Sequence, residues 1–226
     1  MTAEFGSAPA AVCFDLDDTL YDYHEYARAG LREAADRLEA RTGESYHDEL
    51  HALYFDESVT EETFDALVER HDLPPGVDVD ALVDDLIEAY HDATDALAPY
   101  PATERVLSRF DDRYDLGLIT DGRGGRAKLR RLGIDHYFDV VVVSPELDSS
   151  KRQRGVFDAA LADLDGAADE TVYVGDDPRV DFRIPNRLGM TTVRLRRGRY
   201  THLEPDAEGA PDVEIQDLGD LPALVE

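Results

Sequence analysis

The sequence is poor in cysteine and in lysine, and it has no long apolar run. Cys13 is the one cysteine among 226 residues, so a disulfide framework or a cysteine-based zinc site within one chain is excluded. No stretch approaches the ~18 consecutive apolar residues of a membrane-spanning helix. Met1 to Ala11 has neither a basic start nor an apolar core, so no signal peptide is expected and the default compartment is the cytoplasm. Positive charge is scarce too: 23 Lys and Arg stand against 51 Asp and Glu, for a formal net charge of −28. That balance disfavours nucleic acid, which needs a basic footprint, and anionic membrane surfaces. With 42% hydrophobic residues the chain is nevertheless too apolar for a disordered acidic protein. Its length suffices to bury a core without staples.

Within the basic residues, only Lys128 and Lys151 are lysine; the other 21 are arginine. Extreme acidity with lysine depletion resembles proteins of salt-accumulating haloarchaea. Self-repulsion at this net charge is tolerable when screened, and at ~1 M salt the Debye length is about 3 Å.

Ala10–Leu16 is a short apolar run ending in acids, the signature of a buried strand with polar residues at its carboxyl end. Residues 22–98 differ, with helical spacing, many alanines and no β-branched run. Helices are predicted over 22–41, 46–57, 61–71 and 79–97, with Thr60 capping the third and Pro74-Pro75-Gly76 closing it. After Pro99-Tyr100-Pro101 the pattern alternates. Helices near 102–111, 124–132, 153–163 and 181–188 precede strands at 116–120, 140–143, 171–174 and 191–195. A short strand and a final helix follow Pro211. This alternation predicts a doubly wound, Rossmann-like parallel-sheet core of the α/β class, over 9–20 and 99–226, with an all-helical cap at 21–98. In such sheets ligands bind beyond the carboxyl ends of the strands.

Acids gather at those ends. The first strand runs into Asp15-Leu16-Asp17-Asp18-Thr19, the second into Thr120-Asp121-Gly122, and the fourth into Gly175-Asp176-Asp177 with Asp181 nearby. Lys151 comes after the third. Arginine serves for a generic cation, so a retained lysine points to a need for a compact ammonium. Each segment alone also fits a capping loop or a polar turn. A calcium loop is excluded at the first, because Leu20 replaces the turn glycine and Tyr26 the bidentate glutamate. Their convergence on one sheet edge is what points to a site.

Together these segments resemble the haloacid dehalogenase-like hydrolase superfamily, in its branch with a helical cap inserted after the first motif. Phe14–Leu20 matches that motif, Ile119–Gly122 the second, Lys151 the third, and Gly175-Asp176 with Asp181 the fourth. The third departs from the family: Arg152 succeeds the lysine, and Arg154 stands where a second proline is common. The resemblance implies a Mg²⁺-dependent phosphatase acting on a small phosphorylated metabolite. It makes Asp15 the nucleophile, forming an aspartyl-phosphate. Asp17 becomes the acid and base, which demands a raised pKa. Lys151 pairs with phosphate and Asp15, while the Thr120 hydroxyl and the Asp121 and Gly122 amides hold phosphoryl oxygens. Mg²⁺ would sit on Asp15, Asp176 and the Asp17 carbonyl, with Asp181 or Asp177 orienting the lysine or a metal water. An aspartate at position 17 favours phosphate chemistry over dehalogenation, with phosphoryl transfer within a sugar phosphate, as in a mutase, as the alternative.

Other readings stay open here. A non-catalytic relative would bind metal or phosphate without turnover. Gly122–Ala127 satisfies G-x-G-x-x-A, and Glu146 lies about 20 residues on, as a dinucleotide site requires. His47 and His51 share a helix face at metal-ligand spacing without a third ligand, and Cys13 reads as a core residue. Tyr21, Tyr23, His24 and Tyr26 either face the pocket or pack the cap. Oligomeric state and substrate identity are not written in the residues. The acidic surface carries one expectation: activity falls at low salt. Assays across a KCl series test it, and better activity in dilute buffer than in concentrated KCl overturns it.

Overall fold

The structure is a computed structural model, and it describes residues 9–55, 63–164 and 166–226. Two compact units emerge, one built from the described parts of Met1–Tyr23 and Ala96–Glu226, the other from those of His24–Asp95.

In the first unit six strands form one parallel sheet: β1 (Ala11–Phe14), β2 (Asp115–Thr120), β3 (Val140–Val143), β4 (Thr171–Gly175), β5 (Thr191–Leu195) and β6 (Val213–Ile215). Their order is β3-β2-β1-β4-β5-β6. Such strands are covered on both faces and therefore read as near-continuous apolar runs; all four residues of β1 are fully buried. Cys13 is among them, and burial pushes its thiol up to about 12, as suits a core residue.

Position follows from this order. The chain builds outward from β1 through β2 to β3, then returns to lay β4 on the other side of β1. The crevice between β1 and β4 is the topological switch point. In register Phe14 lies opposite Val174, so Asp15 and Asp176 emerge side by side. The Asp15 amide fixes the alignment by donating to the Val174 carbonyl at 2.8 Å.

Helices α5 (Thr103–Asp111), α6 (Gly125–Leu132), α7 (Arg154–Leu161), α8 (Arg183–Leu188) and α9 (Pro222–Val225) complete the unit, numbered after the four of the second unit. Glycines in the left-handed region, Gly133 and Gly189, end α6 and α8. Val156, Phe157 and Ala160 of α7 pack into one cluster with Cys13, Ile119 and Tyr173. The chain leaves and re-enters this unit at adjacent points. Tyr21 bridges Pro99, and the Leu20 carbonyl accepts from the Tyr100 amide and the Thr103 hydroxyl, both at 2.9 Å.

The second unit contains α1 (Tyr23–Thr42, beginning one residue earlier), α2 (His47–Phe55), α3 (Thr63–Glu69) and α4 (Val79–Asp92). Buried Tyr26, Leu31, Ala34, Ala35 and Leu38 line one face of α1, and Leu82, Val83, Leu86, Ala89 and Tyr90 line one of α4. Asp78 caps α4 by accepting from the Ala81 amide at 3.2 Å. Two expected ends shift. α4 stops at Asp92 rather than near 97, because Ala93 turns extended and Thr94 and Asp95 are poor helix formers. α3 stops at Glu69, where Arg70 and His71 bond three residues back and tighten the last turn. Thr60, expected as a cap, lies outside the described residues.

Gly30 sits where α1 meets α4. A Cβ there would lie 2.5 Å from the Tyr90 ring and 2.6 Å from the Tyr90 carbonyl oxygen. Gly→Ala within a helix ordinarily stabilises by about 0.5–1 kcal/mol. Here backbone must move, so Gly30→Ala is expected to destabilise by about 1–3 kcal/mol instead. Denaturant unfolding of the two proteins decides the sign.

Candidate active site

Asp15 leaves β1 almost fully buried. Its Oδ1 accepts from Lys151 Nζ at 2.6 Å, and its Oδ2 takes a longer bond from the Thr19 hydroxyl at 3.3 Å. The same ammonium donates to Asp181 Oδ1 at 2.6 Å and to the Tyr173 hydroxyl at 3.3 Å. Asp181 in turn accepts from Tyr173 and from the Asp177 amide, at 3.1 and 2.8 Å. Lys151 therefore reaches Asp15 from a fixed post. The unusual segment around it does not displace it. Arg154 begins α7, a position that also suits proline, and pairs with Asp158 one turn on.

Asp176 completes the cluster. Oxygens of Asp15, Asp176 and Asp181 lie within 4.8 Å of one another. Asp176 Oδ2 is buried and has no hydrogen-bond partner among the described residues. Of these three buried carboxylates, Asp15 and Asp181 share the Lys151 ammonium, while Asp176 takes a bond from the Thr19 hydroxyl. Burial, opposed by Lys151 and reinforced by Asp181 and Asp17, pushes Asp15 up to about 7. Burial and the charges of Asp15 and Asp181 hold Asp176 well above the usual carboxylate range. Burial alone would lower Lys151, but Asp15 and Asp181 outweigh it and raise the ammonium well above its ordinary value. An orphaned carboxylate oxygen beside surplus negative charge is the donor set that a hard divalent cation takes.

Asp17 faces elsewhere. Its Oδ1 accepts from the Tyr21 hydroxyl at 2.5 Å, and both its oxygens accept from Lys128 Nζ, at 2.8 and 2.9 Å. Burial works to raise its pKa, yet Lys128, Tyr21 and Arg199 outweigh it and hold the carboxyl below its usual value. The raised pKa expected for an acid at this position is thereby corrected: cations, not carboxylates, dominate its surroundings.

Next in the loop, Asp18 adopts a left-handed φ of 63°, a region that aspartate tolerates better than most residues. Its buried carboxylate accepts from the Tyr23 amide at 3.2 Å and from Arg199 Nε at 2.6 Å.

The second strand's turn is also partly reassigned. Thr120 is buried, and its hydroxyl oxygen accepts from the Gly122 amide at 3.0 Å. That amide, expected to hold a phosphoryl oxygen, is engaged within its own turn. The Asp121 carboxylate accepts from the Ser144 hydroxyl and from the Lys151 amide, tying the ends of β2 and β3 to the lysine segment. Gly122 leaves room for this pair: a Cβ would lie 2.6 Å from Asp17 Oδ2 and 3.0 Å from Lys128 Nζ, so a larger residue would push these side-chain ends aside.

Asp177, expected to orient the lysine or a metal water, makes no bond to Lys151 among the described contacts. Its carboxylate instead grips Arg179 through both oxygens, at 2.8 to 3.2 Å, and Asp181 alone of the two bonds Lys151. His47 pairs with Asp36 at 3.0 Å, and His51 packs on Phe55. Glu146 is engaged in an exposed ion pair with Arg126, and Gly124 takes a left-handed turn into α6. The dinucleotide pattern therefore reduces to loop shape. Lys128 is the residue that motif spacing does not reveal, although its scarcity as a lysine marks it as clearly as Lys151.

The acid cluster sets a pH dependence. Asp15 moves from 3.8 to about 7 on folding, so between those values the folded site keeps a proton that the unfolded chain releases. Stability from this group therefore falls as pH rises through that window. Asp176→Asn removes one repelling charge. Without metal, its melting temperature should gain on the parent's from about pH 5 to about pH 8, and its gain on adding Mg²⁺ should shrink. Parallel melting curves for the two proteins at each pH would refute this.

A family model described as haloacid dehalogenase-like hydrolase matches residues 12–195. The chain is 37% identical over 217 residues to a glyceraldehyde 3-phosphate phosphatase of Methanopyrus kandleri, across 91% of this chain and 92% of that protein. It is 30% identical to a ribulose-1,5-bisphosphate 5-phosphatase of Halopiger xanaduensis, across 95% of this chain and 98% of that one. Its fold is similar to that of the Bacillus subtilis HAD-hydrolase YfnB, solved bound to magnesium, with a TM-score of 0.68 at 19% identity over 97% of this chain and 99% of that one. The sheet order, the acidic loops at the switch point and these matches agree, and the chain belongs to the haloacid dehalogenase-like hydrolase family.

Proposed function

We propose that this chain is a Mg²⁺-dependent phosphatase acting on a small sugar phosphate. One observation carries the reading: two aspartates of one loop, Asp15 and Asp17, are held by different lysines in different surroundings. Asp15 stands among carboxylates with an orphaned oxygen beside it; Asp17 is held by the cations Lys128 and Arg199. Separated surroundings are how two carboxyl groups take two roles.

In this reading the Asp15 carboxylate attacks phosphorus. The bond to the ester oxygen breaks, an aspartyl-phosphate forms, and Asp17 gives a proton to the departing alkoxide. Water then attacks the phosphoryl group and loses a proton to Asp17, which releases phosphate and restores Asp15. The cations around Asp17 favour the ionised form that the second step uses. The approach of an anionic phosphoryl group favours its protonation for the first. Lys151 neutralises charge on Asp15 and the phosphoryl oxygens, with the Thr120 hydroxyl as a further donor. Mg²⁺ on Asp15, Asp176 and the Asp17 carbonyl would supply the charge neutralisation that two approaching anions require.

The substrates for which these relatives are named, glyceraldehyde 3-phosphate and ribulose-1,5-bisphosphate, are both short sugar phosphates. Glyceraldehyde 3-phosphate is accordingly the substrate expected here. Phosphate release from it and from p-nitrophenyl phosphate is measured in concentrated KCl, with Mg²⁺ and with a chelator. Turnover is expected only with Mg²⁺, and Asp15→Asn should lose at least about 1,000-fold in kcat. Folded protein without turnover on either ester, or an Asp15→Asn variant equal to the parent, would sink the reading.

A further inference from the structure

The two lysines of this chain occupy equivalent posts. Both are buried beyond the strand ends, and each holds one aspartate of the nucleophile loop. The Lys151–Asp15 pair fits the family pattern. Lys128 has no place in that pattern, yet its geometry is the more specific.

Lys128 lies in the first half of α6, with its side chain 3% exposed. Its ammonium contacts both oxygens of a single carboxylate, so it fixes the plane of Asp17 as well as its position. Tyr21 bonds one of the same oxygens, and the ammonium also lies 5.2 Å from the centre of the Tyr23 ring. The space a Cβ on Gly122 would occupy meets Asp17 Oδ2, Lys128 Nζ and Thr120 Oγ1 within 3.3 Å. Three elements thus converge on one point: the first-strand loop, the second-strand turn and α6. Stability alone is a poor account of such a pair, because a buried ion pair returns little over apolar packing. Orientation is a better one, since misplacing a reacting group by about 1 Å costs about 100-fold in rate.

We propose that Lys128 is a positioning residue, whose ammonium holds the Asp17 carboxylate against the Thr120–Gly122 turn so that it meets the departing oxygen of the phosphate ester. The inference rests on the phosphatase reading above. It has a consequence that a structural role lacks. An alkoxide must receive a proton as it leaves, whereas p-nitrophenolate departs as a stable anion. Misplacing Asp17 therefore harms alkyl phosphates selectively.

The test compares kcat/KM for glycerol phosphate and p-nitrophenyl phosphate, with Mg²⁺ in concentrated KCl. The parent, Lys128→Met, Lys128→Gln, Lys128→Arg and Asp17→Asn are measured together. General acid catalysis is worth about 10²–10⁴-fold. Lys128→Met and Lys128→Gln should lose about 10–100-fold on glycerol phosphate and under about 3-fold on the aryl ester. Asp17→Asn should show the same bias, more strongly, and Lys128→Arg should recover part of the loss. Inhibition by inorganic phosphate should be unchanged. Because the readout is a ratio of two esters within one preparation, a partly folded variant still reports it.

Equal losses on both esters would overturn the inference, and a simultaneous rise in the phosphate inhibition constant would assign Lys128 to the phosphoryl group instead. A bias in Asp17→Asn without one in the Lys128 variants would overturn the inference and leave the phosphatase reading standing. A parent without turnover, or Asp17→Asn without bias, would end that reading and this inference with it.

Discussion

Three buried carboxylates around one ammonium are the constraint on which this protein is built. Asp15, Asp176 and Asp181 could each be satisfied separately near the surface. Folding instead brings them together in the crevice where β4 returns beside β1, with Lys151 paired to Asp15 and Asp181. The surrounding residues make sense as supports for that charge. Tyr173 and the Asp177 amide steady Asp181; Thr19 touches Asp15 and Asp176. Asp121 reaches across to the Lys151 amide, so the lysine is anchored at its backbone as well as its tip. Once these contacts are made, one buried carboxylate oxygen remains without a partner among the described residues, in a cluster that could hold a further cation.

Much of this arrangement is legible in the residues. The strands are short apolar runs that only a sheet covered on both faces explains, and their alternation with helices dictates parallel pairing. The catalytic candidates are the polar residues at the carboxyl end of each strand. Asp15, Asp176, Asp181 and Lys151 meet as that placement suggests. The less legible part concerns directions of side chains, which spacing does not encode. Asp17 and Asp177 sit beside the cluster in sequence but turn outward to Lys128 and Arg179, each drawn by a cation from another element or from its own turn. The Gly122 amide closes its own turn for the same local reason, a hydroxyl two residues back.

Lys128 belongs between these cases. Its position on a helix says nothing about a partner more than a hundred residues away. Its rarity does. Where arginine supplies nearly all positive charge, each lysine that remains marks a place where a guanidinium fork does not serve. Lys151 has a strand end and a family motif to frame it. Lys128 has neither, and scarcity is the one trace in the sequence of its tie to the second aspartate.

The division of labour between the two cations has a chemical corollary. Both lysine side chains are buried and ion-paired, so the surface carries its positive charge as guanidinium and offers no lysine amine. Acylating reagents, which find lysines everywhere on an ordinary protein, would meet them here only when the strand ends open. Lysine acylation thereby becomes a clock for local opening of this one region, and the two positions would time the loosening of Asp15 and of Asp17 independently.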